Sequence, residues 1–140
     1  SGSAMIRHLI ESLTGVATGD EWFRRTRRSV AIKTHHPHKH GTDLDVADDG
    51  VGETDIDGAL ILLRNPRDAV PSFLNHLYEK NHNLTHHTTR ATTEEWIAWR
   101  NREFQTQLEE WTNFVVHWTE RYEVERRHLV TYEDLTGSGG

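Results

Sequence analysis

Cysteine is absent, which excludes disulfides, thiolate zinc sites and cysteine nucleophiles while leaving the redox compartment unassigned. Long apolar runs are absent too. No stretch approaches the roughly 18 residues of a membrane span, and no cationic segment leads into an apolar one as in a signal peptide. Hydrophobic residues make up 34% of the chain and the mean hydropathy is −0.76, polar for a well-packed core. Basic charge is outweighed, 16 Lys and Arg against 22 Asp and Glu, which argues against nucleic acid as the main partner. No methionine stands at position 1, so the 140 residues read as a fragment carrying one domain. Ser1-Gly2-Ser3 and Gly137-Ser138-Gly139-Gly140 read either as linkers or as the places where a longer chain was cut. What the chain has in excess is histidine, eleven of them.

Periodicity organises most of the rest. Met5, Ile6, Leu9, Ile10 and Leu13 form one helical stripe over Ala4 to Leu13, closed by Thr14-Gly15. An irregular arginine-rich stretch follows, through Arg28. Val30-Ala31-Ile32 fits a short buried strand ending at Lys33-Thr34-His35. The segment from His36 to Gly58 is loop-like and acidic. Ala59 to Leu63 is continuously apolar, as expected of a strand covered on both faces. Pro66 opens a helix to about Glu79, Asn81 to Arg90 is a polar loop, and Thr92 or Thr93 caps a long helix reaching Tyr122. His128 to Tyr132 reads as a last strand. This order predicts an α/β fold with a mostly parallel sheet, in which ligands lie beyond the carboxyl ends of the strands.

Two groups of residues stand at such ends. Arg64 closes the apolar strand and Ser72 lies eight residues on, a pair suited to holding a phosphate with the amides of a helix start. The alternative is an Arg64–Asp68 ion pair and a solvated serine. Lys33 and His35, two apart, would share a strand face and suit charge stabilisation plus proton abstraction from a hydroxyl. The alternative is a surface lysine beside one more loop histidine.

Four segments in order then resemble one family. Arg64-Asn65-Pro66-Arg67-Asp68-Ala69-Val70-Pro71-Ser72 resembles the 3′-phosphate motif of sulfotransferases that use 3′-phosphoadenosine 5′-phosphosulfate (PAPS). Lys33-Thr34-His35-His36-Pro37 is similar to that family's Lys-Thr-His strand end, and Leu129 to Leu135 to its Tyr-Glu-Asp-Leu segment. Ser1 to Glu11 resembles the end of the phosphosulfate loop and its helix, and the WSC-domain-containing type is the nearest variant. The resemblance implies a P-loop-like, three-layer fold lacking its first strand and its C-terminal cofactor-closing segment. It implies His35 as general base and Lys33 as stabiliser of the transferring group. It also implies that Arg64 and Ser72 hold the 3′-phosphate, that Tyr132 lies by the adenine, and that Ser1, Gly2, Ser3, Ala4 and Met5 cradle the 5′-phosphosulfate. The acceptor would be a hydroxyl compound, a glycan by preference. Ala4 stands where the family has a hydroxyl residue and Met5 where tryptophan is common, which implies impaired activity. Kinase-like phosphoryl transfer lacks its Gly-Lys-[Ser/Thr] signature here, and a degenerate nucleotide-binding or interaction domain is the non-enzyme alternative.

Other features are read more plainly. His35, His36, His38 and His40, with His86-His87, are bystanders rather than a metal site, since sulfuryl transfer needs no metal. Asp43 to Asp57 lacks the ligand spacing of a calcium loop. The tryptophans of the long helix are core anchors, and Asn83-Leu84-Thr85 is a glycosylation sequon.

Overall fold

The computed structural model describes residues 2–20, 29–38, 41 and 56–137; the arginine-rich stretch 21–28, most of the acidic loop, His40 and Ser1 lie outside the described residues. The chain is mixed α and β. Its elements are α1 (Gly2–Thr14), β1 (Gly19–Asp20), β2 (Ile32–Lys33), β3 (Ala59–Leu63), α2 (Pro66–Asn81), α3 (Thr93–Arg121), β4 (Arg127–Thr131) and α4 (Tyr132–Thr136). It divides into two compact units, residues 1–62 with 116–130 and residues 63–115 with 131–140.

In the first unit, β1 pairs with β2 in parallel, Gly19 opposite Ile32 and Asp20 opposite Lys33. Among the described residues the strands form two separate two-stranded sheets, β1–β2 and β3–β4, where the sequence predicts one. The two residues of β1 carry no hydrophobic period and escape a reading by pattern. β2 is shorter than its apolar run suggests, because Val30 is half-exposed and the ladder ends at Lys33. β3 has the predicted bounds but not the predicted cover: Ile61 is 2% exposed and its neighbour Leu60 46%. Ile61 alone is buried, while Ala59, Leu62 and Leu63 are half-buried.

The stripe on α1 forms the predicted helix, closed by Gly15 at φ +68°, whose amide donates to the Glu11 carbonyl. No residue of α1 is buried, and Leu13 is 84% exposed. Its firmest ties are polar. Arg7 and Glu11, one turn apart, both reach the buried Thr18: Arg7 Nε donates to Thr18 Oγ1 at 2.8 Å, and Glu11 Oε1 accepts the Thr18 hydroxyl at 2.6 Å and its amide at 2.9 Å. Those two bonds, the hydroxyl's first, hold the Glu11 carboxyl below its ordinary pKa. Gly58, just before β3, packs so closely that a Cβ would stand 2.1 Å from the Arg126 carbonyl oxygen. Only glycine fits there.

The second unit is built on α2 and α3, whose apolar faces meet at Val70, Leu74 and Trp99, with Phe73, Trp96, Phe104 and Leu108 packed around them. These helices follow their sequence signals. Asn65 caps α2, its side chain accepting from the Arg67 amide, and Pro66 occupies the first turn, where no amide is needed. Thr92 and Glu95 make a reciprocal box at the start of α3: Thr92 Oγ1 accepts the Glu95 amide, and Glu95 Oε2 accepts the Thr92 amide.

The loop between these helices hangs on Glu79. This residue, 1% exposed, accepts the amides of His87, Thr88 and Thr89 at 2.7–2.8 Å. Three donors on one carboxylate satisfy a stretch of backbone that belongs to no helix or sheet. They also hold His87 at φ +65°, a conformation rare outside glycine. The bonds, Thr89's first and His87's second, lower the Glu79 pKa although burial pushes it up. Glu79→Gln should therefore lower the melting temperature by several degrees at neutral pH. Because the folded-state pKa lies below the unfolded one, this contribution is complete above about pH 5 and fades as the pH falls through about 4 and below. Thermal melts across that range should show the two proteins converging in acid; a gap that widens in acid would contradict the staple.

Candidate functional site

In the second unit the candidate residues gather where β3 turns into α2. The chain reverses at Arg64-Asn65, and both backbone groups exposed by the turn are met by side chains. Trp111 Nε1 of α3 donates to the Arg64 carbonyl at 3.2 Å, and Glu133 Oε1 of α4 accepts the Asn65 amide at 3.0 Å. The Arg64 guanidinium lies over the Tyr132 ring, its central carbon 4.7 Å from the ring centroid, a cation–π contact that orients the fork. Tyr132 is held in turn because it begins α4, where Thr131 caps the helix by accepting the Asp134 amide.

Arg64 Nε is buried and has no hydrogen-bond partner among the described residues. A desolvated guanidinium N–H left open is costly, and an anion is the partner that suits it. The alternative reading of Arg64 is not realised, since no ion pair joins it to the exposed Asp68 among the described residues. Ser72 is half-buried on α2, and its hydroxyl too has no partner there. Pro71 beside it removes one amide from the helix, so the Arg67 carbonyl is left without its usual donor.

In the first unit, Gly2, Ser3, Ala4 and Met5 form the first turn of α1, with Ala4 exposed and the others half-buried. That turn holds no acidic side chain, so nothing there opposes a negative ligand at its amides. Lys33 ends β2, half-buried. His35 does not continue the strand. It begins a turn in which the His38 amide donates to the His35 carbonyl at 2.9 Å and the Gly41 amide to the His38 carbonyl at 2.7 Å. The strand alternation that would place Lys33 and His35 on one face therefore stops short of His35. Ser1 lies outside the described residues.

The candidates thus fall as Gly2, Ser3, Ala4, Met5, Lys33 and His35 in one unit and Arg64, Ser72 and Tyr132 in the other. The structure brings Arg64 and Tyr132 together. Trp111 and Glu133 also act at this turn and escape the sequence reading; the hydrophobic period draws Trp111 as an apolar anchor, and its indole N–H does the rest. Among the described residues no three His, Asp or Glu side chains gather as metal ligands, and no helix is long and apolar enough to cross a membrane.

No protein-family model matches the chain, and comparison with curated proteins and with solved structures returns no match.

The cap at the turn has a measurable share in stability. Asn65→Ala should cost about 0.5–2 kcal/mol in denaturant unfolding, whereas Asn65→Asp, which keeps the acceptor, should cost little. Equal losses for both variants would show that the side-chain cap is not what holds the turn.

Proposed function

We propose that the chain belongs to a PAPS-dependent sulfotransferase of P-loop-like fold, moving a sulfuryl group to an acceptor hydroxyl. The observation that carries the reading is Arg64: a strand-end guanidinium laid on Tyr132, with a buried Nε that no group among the described residues satisfies. The four-segment resemblance supplies the ligand that fits it. Arg64, with the Ser72 hydroxyl eight residues on, binds the 3′-phosphate, and the Tyr132 ring borders the adenine. The first-turn amides of α1, from Gly2 to Met5, hold the 5′-phosphate group.

The bound donor supplies an activated sulfuryl group, whose bond to the 5′-phosphate oxygen breaks to leave 3′-phosphoadenosine 5′-phosphate (PAP). An imidazole nitrogen of His35 takes the proton of the acceptor hydroxyl as its oxygen bonds to sulfur. The Lys33 ammonium balances negative charge on the transferring group. The acceptor class comes from the resemblance: a hydroxyl compound, with a glycan preferred.

Ala4 favours a second reading. Without a hydroxyl at that position the α1 cradle offers one hydrogen bond fewer to the donor, which suits a domain that binds the nucleotide without turning it over.

Calorimetry with PAP on the full protein separates these. Arg64→Ala should weaken binding by about 1.5–3 kcal/mol, the worth of hydrogen bonds to a charged group, whereas Arg67→Ala at an exposed site should change it little. Equal affinities for wild type and Arg64→Ala would overturn the anion site. His35→Ala should lower kcat about 10²–10⁴-fold with PAP affinity kept. Binding by the wild type with no sulfuryl transfer to any hydroxyl acceptor would favour the second reading.

A further inference from the structure

After β2 ends at Lys33, the chain from Thr34 to His38 has no sheet ladder to define it, yet this is the stretch that carries His35. Its local bonds are short-range: the His36 amide donates to Thr34 Oγ1 at 2.9 Å, and the His38 amide to the His35 carbonyl. Such turns leave open where the loop as a whole points. Two adjacent residues near the end of α3, in the same unit, reach across to it. Trp118 Nε1 donates to the His36 carbonyl at 2.7 Å, and the His117 ring meets the His36 ring edge-on, centroids 4.7 Å apart and planes at 68°.

The two side chains are themselves locked. The Trp118 indole stacks on Tyr122, one turn on, at 6.3 Å and 3° between planes, and Tyr122 is buried. The Arg121 guanidinium lies 5.7 Å from the Trp118 ring centroid, and its Nη1 is 3.0 Å from His117 Nε2. A guanidinium only donates, so in this contact His117 Nε2 is the acceptor. One arginine thus orders the indole that holds the loop and the imidazole that abuts it.

We propose that Trp118, supported by His117 and Arg121, is a positioning residue that holds the His36 peptide and thereby aims the neighbouring imidazole of His35. The link to His35 as a base rests on the sulfotransferase reading; the hold on the loop does not.

The test uses the full protein and Trp118→Phe, which keeps an aromatic ring and removes only the indole donor. Amide exchange at His36 and His38 should quicken about five- to tenfold, as one hydrogen bond is lost, and the melting temperature should fall by no more than that one bond accounts for. With PAPS and an acceptor hydroxyl, kcat should fall by a similar factor and the KM for PAPS should hold. Two wild-type NMR measurements need no variant: the Trp118 indole proton should show an NOE to Pro37, and imidazole nitrogen spectra should place the His117 proton on Nδ1. Unchanged exchange in Trp118→Phe, or a missing indole contact, would overturn the proposal. A loosened loop with unchanged kcat would overturn its link to His35. A wild type that transfers no sulfuryl group would defeat the functional reading instead, and amide exchange would still decide the hold on the loop.

Discussion

Every backbone amide and carbonyl withdrawn from water must find a partner, and in this chain the strands are too short to supply enough of them. Side chains take over. Trp111 meets the Arg64 carbonyl and Glu133 the Asn65 amide; Asn75 accepts from the Ala91 amide, and Trp118 donates to the carbonyl of His36. Arg126 donates to the carbonyls of Asp57 and Ile56, and Glu79 gathers three amides at once. An orphaned buried group costs about 1–3 kcal/mol, a large share of a small domain's stability, so these pairings decide which loop conformations survive. The mean hydropathy of −0.76 fits the same account: modest apolar burial is supplemented by polar bonds between side chain and backbone.

Among the described residues, the same constraint makes an exception at the β3–α2 turn informative. Around Arg64 the carbonyl and the following amide are satisfied and the guanidinium is oriented by Tyr132, yet Nε is left open inside the protein. A chain that goes to such lengths to satisfy its backbone leaves a charged donor unmet where a ligand is expected. That contrast, more than the presence of an arginine at a strand end, supports an anion at this place.

Within each unit, rigid helices carry the contacts that order the loops. The residues of α3 near its C-terminal end act on Thr34 to His38, and the residues of α2 act on the loop after it. In both cases an aromatic or carboxylate side chain reaches across from a helix whose own geometry is secured by i, i+4 contacts. Such support leaves less of the loop's conformation to chance than local turns alone would.

Sequence by itself determined the local elements. The helices α1, α2 and α3, the bounds of β3, Pro66 at the start of α2, the Thr92 cap and the closing Gly15 all follow from periodicity and capping chemistry, which act over a few residues. The candidate residues Lys33, His35 and Arg64 are drawn from their places at the ends of apolar runs, Ser72 from its interval after Arg64, and Tyr132 from the family resemblance alone. Tertiary structure alone decided the rest. Nothing in the spacing of Arg64 and Tyr132, 68 residues apart, states that one will lie on the other. Glu79 sits in a helical pattern like any solvated acid, and only the return of the chain at His87 makes it a buried staple. The partly covered stripe of α1 and the half-covered β3 depart from expectation for a related reason: apolar periodicity states which face prefers burial, and only the packing of other elements supplies the cover.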